Sequence, residues 1–232
     1  MVQVFLSGIR PLPPDNQPTG IFKQEVLMPV WVGKEGLAGD AQADRRVHGG
    51  PEKALHQYAI ANYARLAVAF PDAAHLLIPG SIGENLSVPE WDEINIAIGD
   101  VFRLGDSTIQ VSQPRSPCWK IDNRFGAEGM AQFIAEQRIT GWYFRVLEEG
   151  AVEPGASFEQ IERNADPVSI AALLSLWAEH RPDPDRLIEV ARIPGLAASW
   201  VSKLEDRAAR LRQMAEAPPK LFHPRPDANT QD

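Results

Sequence analysis

The chain has 232 residues, a net charge of −8 and an isoelectric point near 5.2, which argues against a general nucleic-acid binder, whose footprint is a basic surface. Its single cysteine excludes an intramolecular disulfide, and no apolar run approaches the ~20 residues of a membrane helix. The opening MVQVFLSGIRPLPPDNQ lacks the basic stretch and apolar core of a secretory signal, so the expected setting is the cytoplasm, with no membrane partner.

An apolar fraction of 44% supports a real core, and 20 prolines with 17 glycines imply many turns, which suits an irregular β-rich fold. In chain order, VQVFLSGI near the start alternates as a strand does. Residues 51–70, PEKALHQYAIANYARLAVAF, have helix-forming composition, with Pro51 suited to the first helical position. Residues 94–113 contain three short apolar runs separated by Gly99-Asp100 and Gly105-Asp106, which predicts a meander of tight hairpins. A second, shorter helix is expected over 126–138. An aromatic and β-branched strand is expected over 141–150, and another strand follows over 156–161.

After about residue 164 the pattern becomes helical. Asp166-Pro167 opens a segment with Val168, Ile170, Leu173, Leu174 and Trp177 near helical spacing. Asp183-Pro184 opens a second helix through Arg192, and Leu196, Trp200, Leu204 and Leu211 mark a third. Both Asp-Pro pairs read as an N-cap followed by a first-turn proline. The fold class expected is mainly β with added helices: a sandwich or barrel over 1–163, a small three-helix unit over 164–215, and a Pro-rich, disordered tail over 216–232. With eight acidic and seven basic residues over 166–216, the helical unit has no cationic face for DNA. Packing against the β domain, or docking a partner, is the plainer role.

The densest polar cluster is GLAGDAQADRRVHGGPEKALHQY, residues 36–58. It sets Arg45, Arg46, His48 and Lys53 around Gly49-Gly50-Pro51. Cations beside glycines at a helix start suit an anion, although a solvated basic loop has the same composition. GSIGENLSV, residues 80–88, brackets a turn with Gly80 and Gly83 ahead of Glu84 and Asn85. By itself such a turn commonly just satisfies backbone groups. Cys118 lies in QPRSPCWKID, a Pro-broken loop, with Arg115 and Lys120 close by. A lone cysteine is commonly a small buried hydrophobe. Beside cations, however, thiolate is favoured, the form that binds soft metals and attacks electrophiles. The five histidines give no zinc-type spacing. No Walker motif, dinucleotide fingerprint or nucleophile elbow is present.

Taken together, in this order and at these distances, the three stretches resemble the MOSC domain family, named for the C-terminal domain of molybdenum cofactor sulfurases. The helical segment from about 165 to 214 resembles the extension of its bacterial YiiM-like branch. The resemblance implies a β-barrel that binds a molybdenum–pterin cofactor, with Cys118 as the protein's metal ligand. It implies that Arg45, Arg46, His48 and Lys53 hold the cofactor's phosphate and pterin edge, and that Glu84, Asn85 and Arg115 line the same pocket. The pyridoxal-phosphate domain fused to some members has no counterpart, so no desulfurase activity is expected. The implied activity is two-electron reduction of N-hydroxylated compounds such as hydroxylaminopurines. Electrons would come from an external reductase or carrier, since the chain shows no site for a nicotinamide, flavin or iron–sulfur donor. Two alternatives remain: a cofactor or sulfur carrier without turnover, and a thiol hydrolase pairing Cys118 with His48 or His56. The oligomeric state is left open.

Overall fold

A computed structural model describes residues 1–44 and 48–216. In chain order its strands are β1 (Gln3–Leu6), β2 (Arg10–Leu12), β3 (Gln17–Thr19), β4 (Gln24–Glu25), β5 (Val30–Gly33), β6 (Gly36–Leu37), β7 (Leu55–Gln57), β8 (Leu86–Ser87), β9 (Val101–Leu104), β10 (Ser107–Pro114), β11 (Trp142–Glu148), β12 (Gly150–Val152) and β13 (Phe158–Glu162). Eight of them form one sheet, ordered β13-β9-β10-β11-β7-β8-β1-β4, which curls into a half-barrel. The expected mainly-β fold with added helices is what the chain adopts.

Gly105-Asp106 turns β9 into β10 as the sequence predicts. Gly105 sits at φ 57°, and a Cβ there would lie 2.6 Å from the Ala151 carbonyl oxygen, so the turn needs a glycine. The sheet's inner face carries an aromatic cluster. Phe102 stacks on Phe158 with centroids 4.5 Å apart and meets Phe144 edge-on at 6.0 Å, both favourable ring geometries.

Three expectations are corrected. Residues 51–70 are not one helix. Pro51–Lys53 is a short 3₁₀ turn and Leu55–Gln57 is β7, so the α-helix covers only Ile60–Ala69. β7 lies deep in the sheet, antiparallel to β11 and parallel to β8, with all three of its residues buried. A strand covered on both faces shows no alternation, and tertiary pairing overrides its helical composition. Second, residues 94–98 form turns rather than a strand. Ile96 and Ile98 still enter the core, and Asp100 closes the turn by accepting from the Ala97 N–H at 2.8 Å and pairing with Arg163. Third, the first C-terminal helix starts at Ile170. Its cap is Ser169, whose hydroxyl accepts from the Ala172 N–H at 3.1 Å, and not Asp166. Asp183 does cap the second helix, accepting from the Asp185 N–H at 2.9 Å ahead of Pro184.

The C-terminal helices Ile170–Ala178, Pro184–Ala191 and Ala198–Glu216 share one core with the sheet. Leu173, Leu187, Val190, Trp200 and Leu204 pack in the same cluster as Ile98, Ile109 and Val111. A second core, built on Tyr58, Tyr63, Leu66, Ile121, Phe125 and Ile134, joins the helices Ile60–Ala69, Lys120–Phe125 and Met130–Glu136. It braces the loops at one end of the sheet. The helix at Lys120–Phe125 is not anticipated by the sequence; it ends on Gly126 at φ 60°. No helix among the described residues is long and apolar enough to cross a membrane. The tail expected to be disordered falls, from 217 on, outside the described residues.

Candidate functional site

One cleft, partly open to solvent, brings together five loops. Its walls come from residues 19–23, 40–43, 48–56, 82–85 and 115–120, with Tyr143 of β11 behind them.

The first wall is a close approach of two loops. The Ser7 hydroxyl donates to the Gly20 carbonyl at 2.7 Å, and a Cβ at Gly20 would stand 2.1 Å from the Ala41 carbonyl oxygen. Only glycine permits this contact. It places Lys23 against Asp40 as an ion pair, with side chains just 5% and 2% exposed. Burial pulls the Lys23 ammonium below the usual lysine range, and Asp40 opposes that fall. Asp40 also accepts from the Ser7 N–H and from the Asn85 side-chain amide, each at 2.9 Å.

Asn85 is a fastener. Its Oδ1 accepts from the His56 N–H at 3.1 Å, and its Nδ2 donates to the Phe5 carbonyl at 3.2 Å as well as to Asp40. The amide is thus committed to holding β1, β7 and β8 in place. Glu84 is fully buried and not on the wall. It accepts from the Tyr63 hydroxyl and, at 2.6 Å, from the Gly80 N–H, while burial pushes its carboxyl up.

The second wall is cationic. Arg115 follows β10 and is 7% exposed. Its Nη2 donates to the Ile82 carbonyl at 3.4 Å and its Nη1 has no hydrogen-bond partner among the described residues. Burial raises the Tyr143 phenol's pKa, and the charge of Arg115 opposes that rise. A guanidinium cannot shed its proton, so this is a buried charge, with the buried Glu84 carboxyl within reach of its field. Lys53 and Lys120 also line the cleft. The Lys120 ammonium donates to the Pro18 carbonyl at 2.7 Å and sits 5.9 Å from the Trp119 ring. Burial, then the charges of Arg115, Lys120 and Lys53, push His48 below the ordinary histidine range. His56 is pushed well down, chiefly by burial and then by Arg115. Both imidazoles are therefore neutral at pH 7. Among the described lining residues, Asp40 is the one carboxylate.

Cys118, half-buried, opens onto this cationic wall. Its carbonyl accepts from the Ile121 N–H at 3.0 Å, so the loop is pinned by the first turn of the helix that follows. Among the described residues no hydrogen bond joins Cys118 to a histidine, and no cluster of three or more His, Cys, Asp or Glu could hold a metal ion. A metal here would find no set of three or more such ligands among the described residues.

Of the residues singled out in the sequence, His48, Lys53, Asn85, Arg115 and Cys118 share the cleft. Glu84 stands behind its wall, and Arg45 and Arg46 lie outside the described residues. The cleft also holds His56, named in the sequence as a possible partner of Cys118, and adds Lys23, Asp40 and Tyr143. Asp40 lies in the Gly39-Asp40 turn of the quoted cluster, a signal that was there to be read. Lys23 has no such marker.

Residues 44–159 match the MOSC domain. Protein YiiM of Escherichia coli is 36% identical over 207 residues, which is 89% of this chain and 91% of YiiM. The chain belongs to the MOSC domain family. The crystal structure of E. coli YiiM superposes on this MOSC protein with a TM-score of 0.75 at 31% identity, covering 90% of this chain and 92% of YiiM. YiiM from Geobacillus stearothermophilus gives 0.75 at 27% identity, covering 89% and 97%. A reductase of Gibberella moniliformis is 34% identical over 177 residues, 76% of this chain but 31% of the fungal protein.

The buried ion pair yields a stability prediction. Asp40→Asn keeps the shape but leaves the Lys23 ammonium unpaired, which is expected to cost about 3 kcal/mol. The unfolded chain then binds a proton that the folded chain resists, so stability falls as pH falls below the ordinary lysine range. Urea midpoints at pH 6 and pH 9 check this: the deficit against wild type should be larger at pH 6.

Proposed function

We propose that this MOSC protein is a molybdenum-cofactor-dependent reductase of N-hydroxylated compounds, hydroxylaminopurines among them, with Cys118 as the protein's ligand to the metal. The observation that carries the reading is Arg115: a buried guanidinium with an unpartnered Nη1, in the same cleft as the chain's one thiol. A phosphorylated, sulfur-bearing cofactor fits that donor set, because it offers an anion to the buried guanidinium and brings metal ligands of its own. Arg115, Lys53 and Lys120 would hold its anionic groups, and Cys118 its metal. The chemistry such a cofactor supplies when bound is two-electron removal of oxygen from nitrogen. Neutral His48 offers a hydrogen-bond acceptor to a substrate N–H or O–H. The reductase among the relatives points to the same reaction class.

Overall, R–NHOH takes up two electrons and two protons to give R–NH₂ and water. The test is to purify the chain from a host that makes the cofactor, measure molybdenum and pterin, and assay hydroxylaminopurine reduction with a viologen dye. Stoichiometric metal with turnover is the expected result. Metal without turnover would favour a carrier, and absence of both would remove the reading.

Electrons would have to come from a docked reductase or small carrier protein. With NADH or NADPH as the sole donor, no sustained turnover is expected; adding a flavoprotein reductase should start it. Steady NADH oxidation by the isolated chain would refute the need for a partner.

A further inference from the structure

Glu52 does not line the cleft, although its charge acts on the lining residue Lys53, and it joins three parts of the molecule. It lies in the 3₁₀ turn Pro51–Lys53, between Gly50 and the lining residue Lys53. Its backbone carbonyl accepts from the buried Ser112 hydroxyl at 2.6 Å and from the Gln113 amide at 3.2 Å, which ties the turn to β10. Its carboxylate pairs with Arg145 of β11 at 3.0 Å. The same carboxylate accepts from the Ala198 N–H at 3.1 Å, at the first residue of the helix Ala198–Glu216. An acidic group at a helix start meets unpaired N–H groups and the positive end of the dipole. Here that cap comes from a residue 146 positions earlier. The junction is reinforced by the Ala197 N–H donating to the Ser112 carbonyl at 2.9 Å.

We infer that Glu52 is a positioning residue through which the C-terminal helix sets the anion-binding end of the cleft. The inference rests on the reading that the cleft holds an anionic cofactor. Two features support it. The turn that carries Lys53 is three residues long, and Glu52 ties it to β10, β11 and the C-terminal helix. Burial holds the Lys53 ammonium below the usual lysine range; the charge of exposed Lys203, on the same helix, adds to that fall and Glu52 opposes it. The helical unit is thus part of the site's wall support and of its field.

The test uses the full chain as wild type, Glu52→Ala, Glu52→Gln and Lys203→Glu. Affinity of cofactor-free protein for inorganic pyrophosphate is measured by calorimetry, molybdenum per chain is measured after purification from a cofactor-making host, and melting temperature is recorded for each. Glu52→Ala should weaken pyrophosphate binding and lower molybdenum retention about three- to ten-fold. Glu52→Gln keeps an acceptor for the Ala198 N–H and should recover most of that loss. Lys203→Glu, on the surface, should weaken pyrophosphate binding about three-fold, with a melting temperature within about 2 °C of wild type. A Glu52→Ala chain that melts lower but binds pyrophosphate as wild type does would overturn the positioning role. If wild type binds pyrophosphate but carries no molybdenum, the cofactor reading fails, and the pyrophosphate series alone decides the role of Glu52. If wild type binds neither, both fall.

Discussion

Cys118→Ser is expected to abolish reduction of N-hydroxylated substrates while leaving the fold intact. The side chains are nearly the same size, and Cys118 is half-buried in a loop pinned through its backbone carbonyl, so stability should change by less than about 1 kcal/mol. The chemistry changes much more. A thiolate is a soft, anionic donor, whereas a serine hydroxyl is hard and stays protonated at neutral pH. Changing outer-shell partners of metal ligands already costs about 10–100-fold, so loss of the ligand itself should exceed that. The measurement is turnover of hydroxylaminopurine with a viologen dye, normalised to molybdenum content, beside circular dichroism to verify folding. Wild-type turnover per metal in the serine variant would end the assignment of Cys118 as ligand.

Arg115→Met should separate stability from binding in opposite directions. Arg115 is a charge in a buried site with, among the described residues, one long hydrogen bond to Ile82 and an unpartnered Nη1. Methionine fills similar space without a charge to desolvate, so the cofactor-free variant should melt higher, by about 2–4 °C. Cofactor retention should fall. A charge-assisted contact contributes about 1.5–3 kcal/mol, which corresponds to about 10- to 150-fold in affinity. Differential scanning calorimetry on cofactor-free protein and metal analysis of protein from a cofactor-making host read the two halves. Lower melting together with undiminished metal would make Arg115 a structural residue and remove the main support for the cofactor reading. A site that gives up folding stability for a ligand is the usual place for such a conflict.

The chemistry of the cleft was more legible in the sequence than its scaffold. Cys118, Arg115, His48, Lys53 and Asn85 stand in three short stretches whose composition departs from their surroundings, and all five meet in the cleft. Lys23 and Asp40 escaped because their pairing exists only after two irregular loops approach across Gly20, a contact with no periodic trace. Glu84 and Asn85 are sequence neighbours, but they divide between the two sides of one wall, a split that depends on local backbone direction. β7 leaves no strand signal in the sequence, because a three-residue strand with both faces covered has neither alternation nor β-branched residues. Ser169 was passed over for Asp166 because both are good caps, and only the packing of Ile170 into the core selects between them.

The cleft draws its walls from loops spread between residues 19 and 143, so no fragment of the chain contains it. Under the reading proposed above, whatever fills it is bound by the folded chain alone, and a ligand at 100 times its dissociation constant then adds about 2.7 kcal/mol to the unfolding free energy. The cofactor would act as a late component of folding as well as of catalysis. Cofactor-free chains would open more often and be digested sooner, so a cell short of molybdenum would lose the protein itself along with its activity.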